Sequence, residues 1–213
     1  MSDVRLVVIA KAPAPGRSKT RLCPPCTPEQ AARLARAALE DTLGAVVETR
    51  AERPLLVLDG RANGWLPEGF DVVPQPDGGL GARLGAALDA AGGPALVIGM
   101  DTPQLTADLL TDATEALSRP GIDAVLGPAL DGGYWTIGLR EPAREVFDGV
   151  PMSSATTAIA QRQRLGALGL RHVELPALRD VDTIEDARAV AAEAPWSRFA
   201  QALTAIDGER LAC

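Results

Sequence analysis

Three short apolar runs constrain this chain more than any other feature: residues 5–10 (RLVVIA), 54–59 (PLLVLD) and 94–99 (PALVIG). Each is rich in Val, Ile or Leu, and none alternates polar with apolar side chains. A strand that is apolar throughout must be covered on both faces. Helical stretches separate the runs. Thr27, Pro28 and Gln30 have the form of a helix start: an N-cap, a proline in the first turn and the Gln of a capping box. That helix is expected to reach about Arg50. Residues 80–90, 106–118, 154–168 and 183–192 also read as helices, and the chain from Pro195 as one more helix and a tail. Residues 71–74, 123–127, 134–139 and 172–175 read as further strands. Strands alternating with helices imply an α/β fold, a mostly parallel central sheet with helices on both faces. The 213 residues contain no linker, internal repeat or low-complexity tract. One domain is expected over 1–213, with a core at about 4–192 and a C-terminal helix and tail at 193–213.

Charge excludes several function classes. The net charge of −7 argues against a general nucleic-acid binder, and 3% aromatic residues are too few for a base-stacking surface. No apolar run approaches the roughly 18 residues of a membrane span. The N-terminal run is interrupted at Lys11, unlike a signal peptide. Cys23, Cys26 and Cys213 are too few for a disulfide scaffold. The expectation is a cytoplasmic protein without nucleic-acid or membrane partners.

Against this acidic background the cations are unevenly placed. The only two lysines, Lys11 and Lys19, share one loop. Residues 4–28 contain no Asp or Glu, yet include Arg5, Lys11, Arg17, Lys19 and Arg21. In a parallel sheet, ligands gather beyond the carboxyl ends of the strands, where this loop begins. It is neither a GxxxxGK[ST] P-loop nor a GxGxxG turn. It can still turn amides toward phosphates, with Gly16 allowing close approach and Lys19 and Arg21 neutralising charge. A plain solvated basic loop is the bland alternative.

Other segments that follow strands carry candidates of their own. Asp101 comes directly after a buried strand, where a carboxylate needs solvent, hydrogen bonds or a cation; it reads as a Mg²⁺ or Mn²⁺ ligand or as a turn residue. Asp182, in Asp180-Val181-Asp182-Thr183, reads as a second carboxylate on that ion or as part of a helix cap. Asp131, Gly132 and Gly133 form either a tight hairpin turn or a backbone surface for substrate. In residues 75–84 (QPDGGLGARL), Gln75, Gly81 and Arg83 are candidates for contact with a nucleotide, against a simple strand-to-helix turn. Cys23-Pro24-Pro25-Cys26 matches CxxC but lacks a thioredoxin-like setting, and His172, the single histidine, has no matched nucleophile.

Taken in order, KAPAPGRSKTRL, GMDTPQL, LGPALDGGYW and DVDTIED resemble a bacterial glycosyltransferase-like family of the nucleotide-diphospho-sugar transferase superfamily, related to the 2-phospho-lactate and molybdenum-cofactor guanylyltransferases. The resemblance covers roughly residues 5–192. It implies the GT-A fold, a Rossmann-like sheet with a nucleotide over the first strands and a carboxylate-bound metal. It further implies that Lys19 and Arg21 contact phosphates, and that Asp101 and Asp182 hold the metal. Gly79 stands where family members often carry Asp, and Met152-Ser153-Ser154 replaces a common Trp-Ser-Thr. The implied partners are a nucleotide (NTP or sugar nucleotide) and a small acceptor. Nucleotidylyl transfer with pyrophosphate release is the leading expectation, because a basic loop suits departing phosphates. Glycosyl transfer and a non-catalytic nucleotide-binding role are the alternatives.

Overall fold

The structure, a computed structural model, describes residues 3–62 and 64–211; Cys213 lies outside the described residues. Seven strands are observed: β1 Arg5–Lys11, β2 Leu55–Asp59, β3 Asp71–Pro74, β4 Ala95–Ile98, β5 Ala124–Pro128, β6 Tyr134–Leu139 and β7 His172–Glu174. The helices are α1 Pro28–Glu48, α2 Leu80–Ala91, α3 Ala107–Ser118, α4 Thr157–Ala167, α5 Ile184–Glu193 and α6 Arg198–Leu211. The strand order is β3-β2-β1-β4-β6-β5-β7. Every pairing is parallel except those of β6, which runs antiparallel to both β4 and β5.

The apolar runs face two ways, as their composition requires. Leu6, Val8, Leu56, Leu58, Leu96 and Ile98 point to one face, under Leu39 and Leu43 of α1 and Leu110 and Leu117 of α3. Val7, Leu55, Val57, Ala95 and Val97 point to the other, under Leu84 and Leu88 of α2, Phe147 of the short 3-10 turn Arg144–Phe147, and Leu165 of α4. Each fully buried Leu contributes about 1.5–3 kcal/mol relative to exposure. The outer side of α1 packs on α5 and α6 through Leu34, Ala38, Val190, Phe199 and Ile206. Asp41 of α1 fixes this layer by accepting the backbone N–H groups of Arg198 and Phe199, both at 2.9 Å, which caps α6.

The local signals in the sequence act as expected. Thr27 and Gln30 form a reciprocal capping box with Pro28 in the first turn, and Thr183 and Asp186 do the same for α5. Helix α4 starts at Thr157, later than the expected 154. Ser153 has φ +56°, outside helical space, and the Thr157 N–H and hydroxyl both donate to the Ser154 carbonyl.

Candidate active site

The carboxyl ends of β1, β4 and β5 open on one side of the sheet. The loop leaving β1 folds back on itself: Arg17 and Ser18 donate their N–H groups to the Ala14 carbonyl, and the Ala14 N–H donates to the buried Ser18 hydroxyl at 3.0 Å. Gly16 takes φ +70° at the tip. Lys19 then adopts φ +48°, a left-handed conformation that costs a non-glycine residue free energy and clusters at functional sites. This turn sends the Lys19 side chain inward, leaving it only 9% exposed.

A nearly buried ammonium needs compensating acceptors. Lys19 Nζ finds Asp101 Oδ1 at 2.6 Å, Asp182 Oδ1 at 4.0 Å and the Val181 carbonyl. Arg21 Nη1 reaches Asp182 Oδ2 at 2.5 Å from a much more exposed position. The two segments carrying these carboxylates are joined directly, since the Val181 N–H donates to the Asp101 carbonyl at 2.9 Å. Asp101 and Asp182 thus meet at one end of the sheet, on the same lysine. The cation of the first loop was expected to stand free for phosphates; the fold holds it between the two carboxylates expected to hold a metal. Lys11, Arg17, Lys19, Arg21, Met100, Asp101 and Asp182 line a cleft of about 260 Å³ here.

A second group of carboxylates adjoins the first. Ligand oxygens of Asp131, Asp180 and Asp182 all lie within 4.8 Å of one another. Val181, fully buried between Asp180 and Asp182, anchors the segment. Burial, then the neighbouring Asp131 and Asp182 carboxylates, push the Asp180 carboxyl up to about 6, against the opposing pull of Lys19. Three half-buried or exposed oxygen donors at this spacing fit a hard divalent cation, which prefers carboxylates and retains waters. Sequence reasoning assigns Asp101 and Asp182 to a metal and Asp131 to substrate, with Asp180 only as the next candidate should that pair fail. The signal that could have found it is the i, i+2 spacing of two aspartates around an apolar residue, which in extended chain places both on one side.

The Asp131–Gly133 turn is rigid. The Gly133 N–H donates to Asp131 Oδ1 at 2.7 Å, and the Gly132 carbonyl accepts the Ala158 N–H of α4 at 2.8 Å. Gly132 has φ +93°, and a Cβ there would stand 2.1 Å from the Ala155 carbonyl oxygen. Only glycine fits.

The segment after β3 is engaged mainly in the scaffold. Gln75 Nε2 donates to the carbonyls of Ala10 (2.6 Å) and Val57 (3.2 Å), tying β3 to β1 and β2. Arg83 Nε donates to the Gly78 carbonyl at 2.9 Å. Gly81 admits close packing of α2, as a Cβ there would lie 3.3 Å from both Met152 Cε and Phe147 Cβ. Arg83 Nη1 also approaches Gln75 Oε1 at 3.5 Å, and none of the three residues lines the cleft around Lys19. Cys23 and Cys26 are not joined in a disulfide, and Cys26 is buried beneath α1. No described helix is long and apolar enough to cross a membrane.

Comparison with solved structures identifies the architecture. A protein of Desulfovibrio desulfuricans G20 assigned as a nucleotide-diphospho-sugar transferase is 27% identical, with a TM-score of 0.87 over 98% of this chain and 96% of that one. A cytidylyltransferase from Leptospira borgpetersenii shares the fold at 13% identity and a TM-score of 0.60, covering 99% of this chain and 96% of its own. So does glucosyl-3-phosphoglycerate synthase from Mycobacterium tuberculosis, solved with Mn²⁺, UDP and glucosyl-3-phosphoglycerate, at 13% identity and a TM-score of 0.54 over 90% of this chain and 76% of that one. No curated protein sequence matches the chain. The profile of one bacterial family matches residues 30–154, a span that includes Asp101 and Asp131. On that match the chain belongs to the family described as an uncharacterized protein conserved in bacteria (DUF2064), built on the nucleotide-diphospho-sugar transferase fold.

Proposed function

We propose that this chain is a metal-dependent transferase that moves a nucleotidyl group from an NTP to a small phosphorylated or related acceptor, releasing pyrophosphate. The observation that carries the reading is the inward-turned Lys19. It is nearly buried, comes from a loop free of carboxylates, and is fixed by Asp101 beside a group of three aspartates. Both reactions known for this kind of site need a cation-rich pocket for phosphates and a carboxylate-held metal. The basic loop favours the reaction in which polyphosphate charge builds up on the leaving group.

The residues divide the work as follows. Asp131, Asp180 and Asp182 hold the divalent ion, Mg²⁺ or Mn²⁺. When bound, that ion supplies Lewis-acid polarisation of phosphoryl oxygens and neutralises developing charge. Lys19 and Arg21 hold the β- and γ-phosphates, and Lys11 and the backbone around Gly16 and Gly132–Gly133 orient the substrates. Asp101 positions Lys19. An acceptor oxygen bonds to the α-phosphorus while the bond to the bridging oxygen breaks, and pyrophosphate leaves with the electron pair. Lys19 offsets that charge in a position already organised by Asp101 and the Val181 carbonyl.

Glycosyl transfer is the second reading, favoured by the assignment of the D. desulfuricans relative to sugar-nucleotide chemistry. The two are separated by following pyrophosphate release from NTPs and NDP release from sugar nucleotides in parallel, with Mg²⁺ or Mn²⁺. Metal-dependent pyrophosphate release is the expected result. NDP release without pyrophosphate would replace this reading by glycosyl transfer.

A further inference from the structure

The segment that carries Asp180 and Asp182 has no regular secondary structure of its own. It runs from the bridge between Leu178 and Ala129 to Thr183, the cap of α5. Yet it brings two carboxylates within 4.8 Å of a third, and like charges that close repel. Two of the three are held through their own oxygens: Asp131 Oδ1 accepts the Gly133 N–H, and Asp182 Oδ2 lies 2.5 Å from Arg21 Nη1. Asp180 makes no ion pair among the described residues, so its place depends on what grips the backbone around it.

Those grips come from two loops. The Val181 N–H donates to the Asp101 carbonyl at 2.9 Å, and Lys19 Nζ donates to the Val181 carbonyl. On the other side of Asp180, Gln104 Nε2 donates to the Arg179 carbonyl at 2.7 Å. Asp180 thus sits between two carbonyls, each held by a side-chain donor, one from the loop after β1 and one from the loop after β4. The Arg179 side chain adds a brace, its Nη1 lying 3.1 Å from Asp186 Oδ1, and Asp186 is the carboxylate of the α5 capping box.

Gln104 is presented firmly. It lies in a turn closed by the Leu105 N–H on the Thr102 carbonyl at 3.0 Å, with Pro103 and Leu105 buried on either side. A carbonyl only accepts, so the amide is fixed with Nε2 toward Arg179. Its Oε1 is then buried without a hydrogen-bond partner among the described residues. An unpaired buried oxygen is a cost that an apolar side chain of similar size avoids, so packing alone does not account for a glutamine here.

We propose that Gln104 is a positioning residue of the ion site. By tying the backbone before Asp180 to the loop of Asp101, it keeps Asp180 against Asp131 and Asp182 and so sets the affinity for the divalent ion, without touching ion or substrate. This rests on the reading of the three aspartates as the ion site. Groups that orient a metal ligand matter on a scale of about 10–100-fold in metal affinity.

The probe is Mn²⁺, titrated calorimetrically into the full chain at pH 7. Gln104→Leu should weaken binding at least about tenfold. In an Asp180→Asn background the same change should alter it within about twofold, because Gln104 then has no ligand to position. Arg5→Ala, which breaks donations to two carbonyls at the opposite edge of the sheet, should leave Mn²⁺ affinity within about twofold and so controls for general loosening. Should Gln104→Leu not fold, Gln104→Asn, whose amide falls one methylene short of the Arg179 carbonyl, carries the same expectation and the same refutation. Unchanged affinity in the folded Gln104 variant, an equal loss in Arg5→Ala, or equal effects in the wild-type and Asp180→Asn backgrounds overturns the positioning role while the ion site stands. Absence of Mn²⁺ binding by the wild type, or binding indifferent to Asp180→Asn, overturns the ion site and the positioning role with it.

Discussion

The two edges of the sheet use charge in opposite ways. Where β1, β3 and β5 begin, Arg5 and Arg140 are absorbed by the scaffold. Arg5 donates to the carbonyls of Arg53 (2.9 Å) and Ala90 (3.3 Å) and to Asp71 Oδ2 (2.5 Å). Arg140 donates to the carbonyls of Ile122, Leu117 and Arg119. Where β1, β4 and β5 end, three carboxylates crowd within 4.8 Å, and one nearly buried lysine is held between Asp101 and Asp182. The larger cavity, about 760 Å³, lies at the first edge, near Arg5 and Arg53. Cavity size therefore points the wrong way here. Backbone strain marks both edges, since Arg50 and Arg53 beside that cavity take φ +56° and +48°; carboxylates crowded around one nearly buried lysine, a like-charge arrangement that a fold retains at a cost, point to the other edge.

The sharpest test exchanges one cation at each edge. Lys19→Ala should lower turnover by about 10²–10³, the scale of one lost contact to a charge developing in the transition state. Its fold should survive, because Asp101 is already 48% exposed and can be solvated. Arg5→Ala should do the reverse: destabilise by about 1–3 kcal/mol through its abandoned acceptors, with turnover per folded molecule within about twofold. Thermal melts and the paired pyrophosphate and NDP assays measure both. Full activity of Lys19→Ala would remove the contrast between the edges.

Glycines sharpen the same contrast. Gly132→Ala places a Cβ 2.1 Å from the Ala155 carbonyl oxygen at a φ that disfavours side chains. It should cost about 2–4 kcal/mol, or displace Asp131 and weaken divalent-ion binding. Gly93, at the opposite edge, has open space around its missing Cβ and no positive φ. Gly93→Ala should change stability by about 0.5 kcal/mol or less. Denaturant melts of the two variants, with Mn²⁺ titrations, decide the matter; equal effects would show that the Gly132 turn is not under steric control.

These glycines also mark what the sequence makes legible. Runs apolar on both faces announce a covered parallel sheet, and the Thr27–Gln30 pair announces α1, because both signals are local. Asp131-Gly132-Gly133 announces the tight connection between β5 and β6. The insertion of β6 between β4 and β5 is not local: it depends on Ala95–Ile98 pairing with Thr136–Leu139, some 40 residues away. The same holds for the site. Lys19, Asp101 and Asp182 could be named because each follows a strand. That Asp101 would take the charge of Lys19, and that Asp180 would join Asp131, depends on long-range bonds such as Val181 N–H to Asp101 and Leu178 N–H to the Pro128 carbonyl.

Asp180 offers a pH test of the crowded edge. Its carboxyl is raised from the ordinary 3.8 to about 6. The folded chain thus holds this proton more tightly than the unfolded chain. The resulting stabilisation is complete below about pH 3.8 and is lost as pH rises through about 6. Without metal, the wild type should lose stability relative to Asp180→Asn across this interval by about 1 kcal/mol, a figure reduced for solvent screening because the group is only half-buried. Mn²⁺ binding by the wild type should tighten over the same interval, since the proton must leave, and Asp180→Asn should weaken it at least about tenfold. Calorimetric titrations at pH 5 and pH 7 measure this. A pH-independent affinity, or an unaffected variant, would take Asp180 out of the ion site.

The smallest expected effect belongs to the thiols, which lie near the charged edge without serving it. Cys26 is 5% exposed and packs with Leu22 and Leu34 beneath α1, and Cys23 packs at the margin of the same cluster. A reactive thiolate is favoured by an accessible, electropositive setting, whereas a buried cysteine behaves as a small apolar residue. The nearby cations, Lys19 and Arg21, are directed to Asp101 and Asp182 instead. The double variant Cys23→Ala/Cys26→Ala should therefore cost about 0.5–1.5 kcal/mol of stability through lost packing and leave turnover within about twofold. Wild-type turnover should be unchanged by added reductant. Loss of turnover in a folded double variant, or dependence on reductant, would bring the thiols into the chemistry and extend the functional edge to the start of α1.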